Sequence, residues 1–189
     1  MPNWCGNTLS VSGNKDYIKR FREQGVLKND DVDTQLSLAK FVPEPNYEEV
    51  EVKPTFPSIT GNNDPVKPGQ SWWDWRVQNW GTKWDIDAYV NEESDEHIHY
   101  YFDSAWSPPV EWLEKTSKLF PDLRFKLVYR EDGCAFMGMI EYEDGGVMDE
   151  TQIDTSSVWD DIIKEGYSEE DDEAFDEYMN RLDALENEL

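Results

Sequence analysis

The alternation of apolar and polar residues predicts a strand, a helix and a second strand in the N-terminal part of the chain. Residues 7–13 alternate around Leu9 and Val11, which is typical of a half-buried strand. Residues 15–25 place their apolar side chains on one helical face, follow a capping asparagine and end at a glycine. The sequence TQLSLAKFVPEP, residues 34–45, predicts the second strand.

The middle of the chain predicts two pairs of strands on either side of another helix. Residues 84–92 and 97–107 alternate around a polar turn, and residues 123–132 and 135–144 alternate in the same way. Between them, the apolar spacing in PPVEWLEKTSKLFP predicts a helix with proline in its first turn. This order of elements favours an α+β fold, with a ferredoxin-like antiparallel sheet and helices on one face.

Two regions depart from this pattern. Six prolines between residues 43 and 70 predict a long irregular insertion. Further along, DTSSVWDDIIKEG predicts a short helix, and residues 168–189 predict an amphipathic helix with an acidic back. We therefore expect a ferredoxin-like domain over 1–148, with its insertion at 43–70, and an acidic helical extension over 149–189.

Charge is distributed unevenly along the chain. The formal net charge is −25, and residues 131–189 hold 21 acidic residues against two basic ones, Lys164 and Arg181. Such a field repels nucleic acid and anionic membranes and attracts basic protein surfaces. We therefore expect no direct binding of nucleic acid, no association with a membrane, and a basic protein as partner.

The sequence also predicts a location in the cytoplasm. No apolar run is long enough to span a membrane, and the N-terminal MPNWCGNTLS lacks the basic and apolar regions of a secretory signal. Cys5 and Cys134 lie far apart without a second pair, which is typical of reduced thiols.

Tryptophan is concentrated in SWWDWRVQNWGTKWD, residues 71–85, which holds five of the nine tryptophans. Stacked rings can bind bases or sugars. The candidates for such an aromatic surface are Trp72, Trp73 and Trp75. A nucleic-acid platform also needs basic neighbours, and only Arg76 and Lys83 are close in sequence. The pattern therefore favours a structural role, in which most of these rings pack onto the sheet.

Candidate catalytic and metal-binding residues are few. His97 and His99 lie on one face of a predicted strand as a potential metal pair, which Asp87 or Asp103 could complete through the fold. Cys134 follows a glycine at a predicted turn, where a structural thiol is more common than a catalytic one. The sequence contains neither a phosphate-binding loop nor a dinucleotide-binding fingerprint. The sequence predicts no cofactor, no complete metal site and no enzyme. It leaves open whether the two histidines bind a metal.

Four motifs carry a resemblance to a known family. They are MPNWCGNTL at 1–9, NWGTKWD at 79–85, SAWSPP at 104–109 and YREDGCAFMG at 129–138. Together they resemble the YubB-type ferredoxin-like proteins, an uncharacterised family carried by bacterial plasmids and phages. The resemblance covers about residues 1–145. It implies a ferredoxin-like fold and a mobile-element origin, and it implies no activity and no catalytic residues.

The acidic helix at 168–189 suggests a specific role. It holds ten acidic residues against Arg181. As a helix it spans about 33 Å, which gives one carboxylate per about 3.3 Å, close to the roughly 3.4 Å phosphate spacing along a DNA strand. We therefore predict a non-enzymatic phage- or plasmid-encoded inhibitor that acts as a DNA mimic. Its target would be a host nuclease or another nucleic-acid-binding defence protein.

The carboxylates expected to bind the partner lie along the extension. They are Asp160, Asp161, Glu169, Glu170, Asp171, Asp172, Glu173, Asp176 and Glu177. The apolar stripe from Phe175 to Leu189 favours an alternative, a protein–protein assembly module that docks on a partner or on a second copy as a homodimer. Salt distinguishes the two, since apolar docking persists at high ionic strength and charge mimicry does not.

Overall fold

The structure, a computed structural model, describes residues 3–29, 31–46, 71–167 and 172–189. In chain order the strands in these ranges are β1 (Trp4–Gly13), β2 (Leu27–Lys28), β3 (Asp33–Thr34), β4 (Tyr89–Glu93), β5 (His97–Ala105), β6 (Leu123–Glu131), β7 (Phe136–Glu143) and β8 (Gly146–Asp154). Six of them form an antiparallel sheet in the order β4-β5-β1-β6-β7-β8, and β2 pairs with β3.

Five α-helices accompany the strands in the same ranges. They are α1 (Lys15–Gly25), α2 (Trp72–Trp80), α3 (Val110–Leu119), α4 (Ser156–Lys164) and α5 (Asp172–Asn187). Helix α1 follows β1 and comes before β4, the next strand of the six-stranded sheet, and α3 connects β5 to β6. This alternation of strands and helices is the ferredoxin-like order. The predicted α+β class, the antiparallel ferredoxin-like sheet and the C-terminal helix are confirmed.

The core lies between the sheet and helices α1 and α3, and aromatic rings fill it. Phe21 on α1 is fully buried, and its ring lies 4.8 Å from that of Phe41 and 5.4 Å from that of Phe120. It also meets Phe125 of β6 edge-to-face at 5.5 Å. Large rings bury much area per residue, so a chain with few aliphatic residues can still form a stable core.

Helix α2 is fixed at both ends. Ser71 and Asp74 form a capping box at its N-terminus, and Gly81 ends it with a φ of +83°, a left-handed conformation that favours glycine. The Lys115 ammonium on α3 donates to the carbonyl oxygens of Gln78 and Asn79, at the negative end of the α2 dipole. Helix α2 is therefore a rigid part of the domain.

The prediction of a strand over residues 34–45 is wrong. Most of this segment is irregular and contains a short 3-10 helix, Leu38–Lys40, because Asp85 competes for its backbone. The Asp85 carboxylate accepts from the hydroxyl of Ser37 and from the amide of Leu38, both at 2.6 Å. Leu36 and Leu38 are still fully buried. The alternation of apolar residues arises because these two side chains contact the core, although their backbone does not pair with a strand.

Two of the predicted bounds, those of the insertion and of the C-terminal extension, can be compared with the described residues. Residues 47–70 of the expected insertion lie outside the described residues, so nothing is concluded about it. The boundary expected after residue 148 falls inside β8, a strand that the polar sequence GVMDETQID did not predict. β8 pairs with β7 along its length, so the sheet continues to Asp154 and α4 follows at once.

No helix among the described residues is long and apolar enough to cross a lipid bilayer.

Candidate functional site

The outer face of the sheet, opposite α1 and α3, is divided into a covered half and an open half. Over β6 and β7 it is covered: Met137 is fully buried and Met139 is 7% exposed, although both point away from the core helices. Helices α4 and α5 supply this cover. Over β4, β5 and the first part of β1 the outer face is open and carries polar and aromatic side chains.

Helix α5 is held on the sheet by two basic residues of β6. The Arg130 guanidinium donates from Nη1 to Asp183 at 2.8 Å and to Glu186 at 2.9 Å. The Lys126 ammonium donates to the carbonyl oxygen of Leu189 at 2.6 Å. The Arg130 side chain is 19% exposed, whereas Asp183 is 60% and Glu186 is 36% exposed, so solvent partly screens these two ion pairs. Their attraction, together with that of Asp132, raises the pKa of Arg130 even though burial alone would lower it.

Helices α4 and α5 also pack on each other. The rings of Trp159 and Tyr178 meet edge-to-face at 5.3 Å. The Arg181 guanidinium bonds to Glu165 at 2.5 Å and to Glu177 at 2.8 Å, so it joins the end of α4 to α5. Apolar burial completes the contact, since Ile162, Ala174 and Leu182 are fully buried. The two helices thus form one ordered layer on the domain.

The structure separates the nine predicted partner-binding carboxylates into three groups. Glu169, Glu170 and Asp171 lie outside the described residues. Asp161 pairs with Lys164 at 2.9 Å, and Glu177 pairs with Arg181. The others are exposed and form no salt bridge in the part of the chain that the structure describes, although the charge of Asp160, after that of Asp161, contributes to the raised pKa of Lys164. These are Asp160, Asp172, Glu173 and Asp176, the acidic face.

The acidic face points outward because of helical periodicity. On α5 the buried or half-buried side chains recur at Ala174, Tyr178, Leu182 and Leu185, one stripe directed at the sheet and α4. Asp172, Glu173 and Asp176 lie on the opposite side of the same helix. The position of these three carboxylates is therefore set by a helix whose other side is docked.

The apolar stripe of α5 is mostly used within the chain. Leu182 is fully buried, and Tyr178, Met179, Leu185 and Leu189 are half-buried. Phe175 is the exception, with 57% of its surface exposed. A docking surface made of the whole stripe is therefore not present in this structure.

The predicted aromatic surface is also divided. Trp75 is 8% exposed and packs edge-to-face on Trp80 at 5.7 Å, so it belongs to the core. The prediction that Trp75 is part of an aromatic surface is therefore wrong. Trp72 is 41% exposed and Trp73 is half-buried. Arg76, which could have offered a phosphate contact, bonds to Glu44 at 2.6 Å and lies over the ring of Trp72. This segment is mainly architecture.

The open half of the outer face holds a groove of about 450 Å³ between β1, β5 and the end of α5. Trp4 lines it, 53% exposed, and stacks obliquely on Trp84 at 5.9 Å. Tyr89 of β4 stacks on Tyr101 of β5 at 5.8 Å. The groove contains both signs of charge, with Arg130 and Glu186 at one side. It offers aromatic contacts, and its mixed charge does not match a phosphate backbone.

Both histidines of the chain lie on this open half, and a third residue joins them. Glu92 of β4 is opposite His99 in the ladder, and its Oε1 lies 3.3 Å from Nε2 of His97. One ligand atom from each of Glu92, His97 and His99 lies within 4.8 Å of the other two. Neither Asp87 nor Asp103 belongs to this group. Sequence reasoning missed Glu92 because a β-bulge between Val90 and Glu92 changes its face.

Neither thiol is prepared as a nucleophile. Cys5 is fully buried, and burial raises its pKa to about 12. Cys134 is exposed, but its hydrogen bond with Glu131 raises its pKa as well. A reactive cysteine needs the thiolate, which a lowered pKa favours, so both groups are in the unreactive form at neutral pH.

The family comparison covers five of the six strands of the sheet, together with α3, α4 and the first half of α5. The model of the ferredoxin-like domain in Api92-like protein matches residues 83–179, just over half of the chain. The chain belongs to this family. The Api92-like match therefore begins before β4, includes α4 and ends within α5, so the acidic helices fall largely inside the family's domain. The sequence motifs had placed them outside it. The YubB-type name and the mobile-element origin stay predictions.

One solved structure supports the Api92-like fold. The crystal structure of a protein Api92 from Yersinia pseudotuberculosis covers 81% of this chain and 98% of that chain, with a TM-score of 0.54 and 10% sequence identity. At this identity the likeness concerns the fold alone. No curated protein matches the chain.

Proposed function

We propose that this chain is a non-enzymatic inhibitor, carried by a phage or a plasmid, that blocks a basic nucleic-acid-binding protein in the host cytoplasm as a DNA mimic. The main support is that the acidic face (Asp160, Asp172, Glu173, Asp176) lies on α4 and α5, which pack on each other. Arg130 and Lys126 hold α5 on the sheet. The expected partner is a nuclease or another defence protein that binds DNA.

Fixed charges bind better than charges on a loose tail. Ordering a segment on binding costs about 0.5–1.5 kcal/mol for each immobilised side chain. A helix that is already docked on the domain loses less conformational entropy when it binds a partner, so this cost is smaller. The same docking fixes the backbone of α5, from which three of the four carboxylates project. A protein groove that neutralises phosphates with lysine and arginine would displace the cations held near the acidic face as it does those on DNA, so binding should weaken as the salt concentration rises.

The distribution of the remaining charge supports a protein target. Much of the positive charge of the described chain is paired internally: Arg130, Arg181 and Arg76 each contact at least one carboxylate. The field around the acidic helices is thus negative, which repels nucleic acid and attracts basic proteins over about a Debye length, roughly 8–10 Å. The raised pKa of both thiols supports a role without cysteine catalysis.

The assembly alternative receives less support. Its apolar stripe contacts the chain's own sheet and α4, which leaves Phe175 as the exposed ring on α5. Docking through one exposed phenylalanine gives much less apolar burial than a stable dimer interface, which needs about 800 Å² on each partner.

Capture from a bacterial lysate with the full chain as bait tests the proposal. The test variant carries Asp160→Asn, Asp172→Asn, Glu173→Gln and Asp176→Asn. The matched control loses four exposed acids elsewhere, through Asp31→Asn, Asp87→Asn, Asp103→Asn and Asp122→Asn. Wild type and control should retain nucleic-acid-binding proteins that high salt or double-stranded DNA releases, and the test variant should lose them. Retention by the test variant, or retention at high salt, contradicts the proposal.

A further inference from the structure

We propose that Glu92, His97 and His99 form a binding site for zinc or a similar divalent transition metal on the open half of the sheet. The site is independent of the acidic face and goes beyond the proposed inhibition. Two imidazoles and one carboxylate are the donor set that such ions prefer, and three protein ligands leave a position open to solvent or to a further ligand.

The register of the sheet brings the three residues together. His97 and His99 are two apart on β5, so their side chains share the outer face, and their ring centroids lie 5.4 Å apart. In a regular ladder Asn91 would be opposite His99. The β-bulge between Val90 and Glu92 places Glu92 there instead, on the face of the two imidazoles. Bulges often redirect one side chain in this way beside functional sites.

The spacing suits a metal ion. Two ligands at about 2.0–2.1 Å from a tetrahedral zinc lie about 3.3 Å from each other. The Oε1 of Glu92 and Nε2 of His97 lie 3.3 Å apart. The ligand atom of His99 completes the group within 4.8 Å, so a small side-chain rotation brings it into the same coordination sphere.

A hydroxyl orients each imidazole. The Oγ of Ser94 hydrogen-bonds to Nδ1 of His97 at 2.7 Å, and the Oγ of Ser10 hydrogen-bonds to Nδ1 of His99 at 3.0 Å. Metal-bound histidines ordinarily hold their second nitrogen by a hydrogen bond, which fixes the ring. The Nε2 of His97 is within hydrogen-bond distance of the Oε1 of Glu92 at 3.3 Å, and a bound ion would take the place of that contact. Ser94 is itself fixed by the turn, because its Oγ accepts from the amide of His97 at 3.1 Å.

The surrounding charge favours a cation. The basic side chains around the site have partners of their own: Lys15 pairs with Asp95 at 2.6 Å and Arg22 with Glu93 at 3.1 Å. Lys126, which shares the outer face with His99 across Ser10, donates to the carbonyl oxygen of Leu189. The net charge of −25 raises the local concentration of cations further. Because weak binding of cations to any acidic surface follows from the same charge, the test must read the imidazoles directly.

Zinc titration of the full chain, after treatment with a chelator, tests the site. The chain has two histidines, and both belong to the proposed site, so nitrogen-15 spectra of the imidazoles report on it alone. Both rings should shift together and saturate at one zinc per chain. Competition with a chromophoric chelator then gives the affinity of each variant.

The matched pair is Glu92→Gln and Glu93→Gln. They are adjacent and change the charge equally, but Glu93 is opposite Ile98 in the ladder and pairs with Arg22. Glu92→Gln and His99→Asn should each weaken zinc binding about tenfold or more, Ser10→Ala by about tenfold, and Glu93→Gln should leave it unchanged. Imidazole signals that do not move at stoichiometric zinc, or equal weakening by Glu92→Gln and Glu93→Gln, overturn the proposal. Circular dichroism confirms that each variant is folded.

Discussion

The guanidinium of Arg130 lies 2.8 Å from the carboxylate of Asp183, a contact that joins β6 to α5 across 53 positions of sequence. It shows that the acidic helix uses part of its own charge to attach itself to the domain. The carboxylates directed away from the sheet take no part in this attachment.

Substitution of Arg130 by methionine should release α5 from the sheet. Three carboxylates, those of Asp132, Asp183 and Glu186, lose a shared cation that is only 19% exposed. We expect the free energy for opening of α5 to fall by about 1–3 kcal/mol, the usual range for hydrogen bonds to charged groups. Hydrogen exchange of the α5 amides measures this directly.

Arg124→Met is the control for that experiment. Arg124 is on the same strand and the same face, and it pairs with Glu141 on β7. The α5 amides should exchange as in the wild type. Equal acceleration in both variants would mean that general charge, and not the Arg130 contact, holds the helix.

Truncation of Trp75 should destabilise the whole domain, whereas truncation of Trp72 should not. Trp75 is 8% exposed within the core cluster, and loss of a buried tryptophan costs about 3–5 kcal/mol. Trp72 is 41% exposed, so Trp72→Ala should lower the free energy of unfolding by about 1 kcal/mol or less. Denaturant unfolding of the two variants checks the difference. Equal losses would contradict the assignment of Trp75 to the core.

The buried thiol of Cys5 predicts a loss of stability in alkaline solution. Burial raises the pKa of Cys5 from about 9 to about 12. Between these values the unfolded chain releases a proton that the folded chain keeps. The contribution of the neutral thiol is therefore complete below about pH 9 and is lost as the pH rises toward 12, by up to about 1.4 kcal/mol per pH unit.

Unfolding free energies at pH 8 and pH 10 measure this effect. Cys5→Ala should reduce the difference between the two by about 1–2 kcal/mol. Cys134→Ala, which removes the exposed thiol, should leave most of the difference in place. A wild-type and a Cys5→Ala chain with the same alkaline loss would show that Cys5 is not the titrating group.

Much of the fold could be predicted from the sequence, because alternation is a local signal. Strands β1 and β6 and helices α1 and α3 each bury one face more than the other, so each shows its own period. β8 shows none, since eight of its nine residues are exposed. It is an edge strand whose acidic side chains discourage pairing with another chain, and its position depends on β7.

The candidate site could be predicted only in part. The acidic composition of α4 and α5 is visible in the sequence, but the attachment of α5 depends on Arg130, whose partners on that helix are more than 50 positions away. The neutralisation of Glu177 by Arg181 depends on helix geometry. The place of Glu92 beside His97 and His99 depends on a bulge, which no period reveals. Long-range contacts and irregular backbone were the missing information.

Displacement of DNA from the captured partner tests whether the acidic face mimics DNA. A fluorescent duplex bound to the captured partner is titrated with three proteins: the wild type, the Asp160→Asn, Asp172→Asn, Glu173→Gln, Asp176→Asn variant, and the control lacking four acids elsewhere. We predict that wild type and control release the duplex at similar concentrations, and that the acidic-face variant needs about tenfold more or higher, since each lost rim ion pair is worth about 0.2–1 kcal/mol. Release by the variant at the wild-type concentration, or a complex of partner, duplex and chain together, would contradict DNA mimicry.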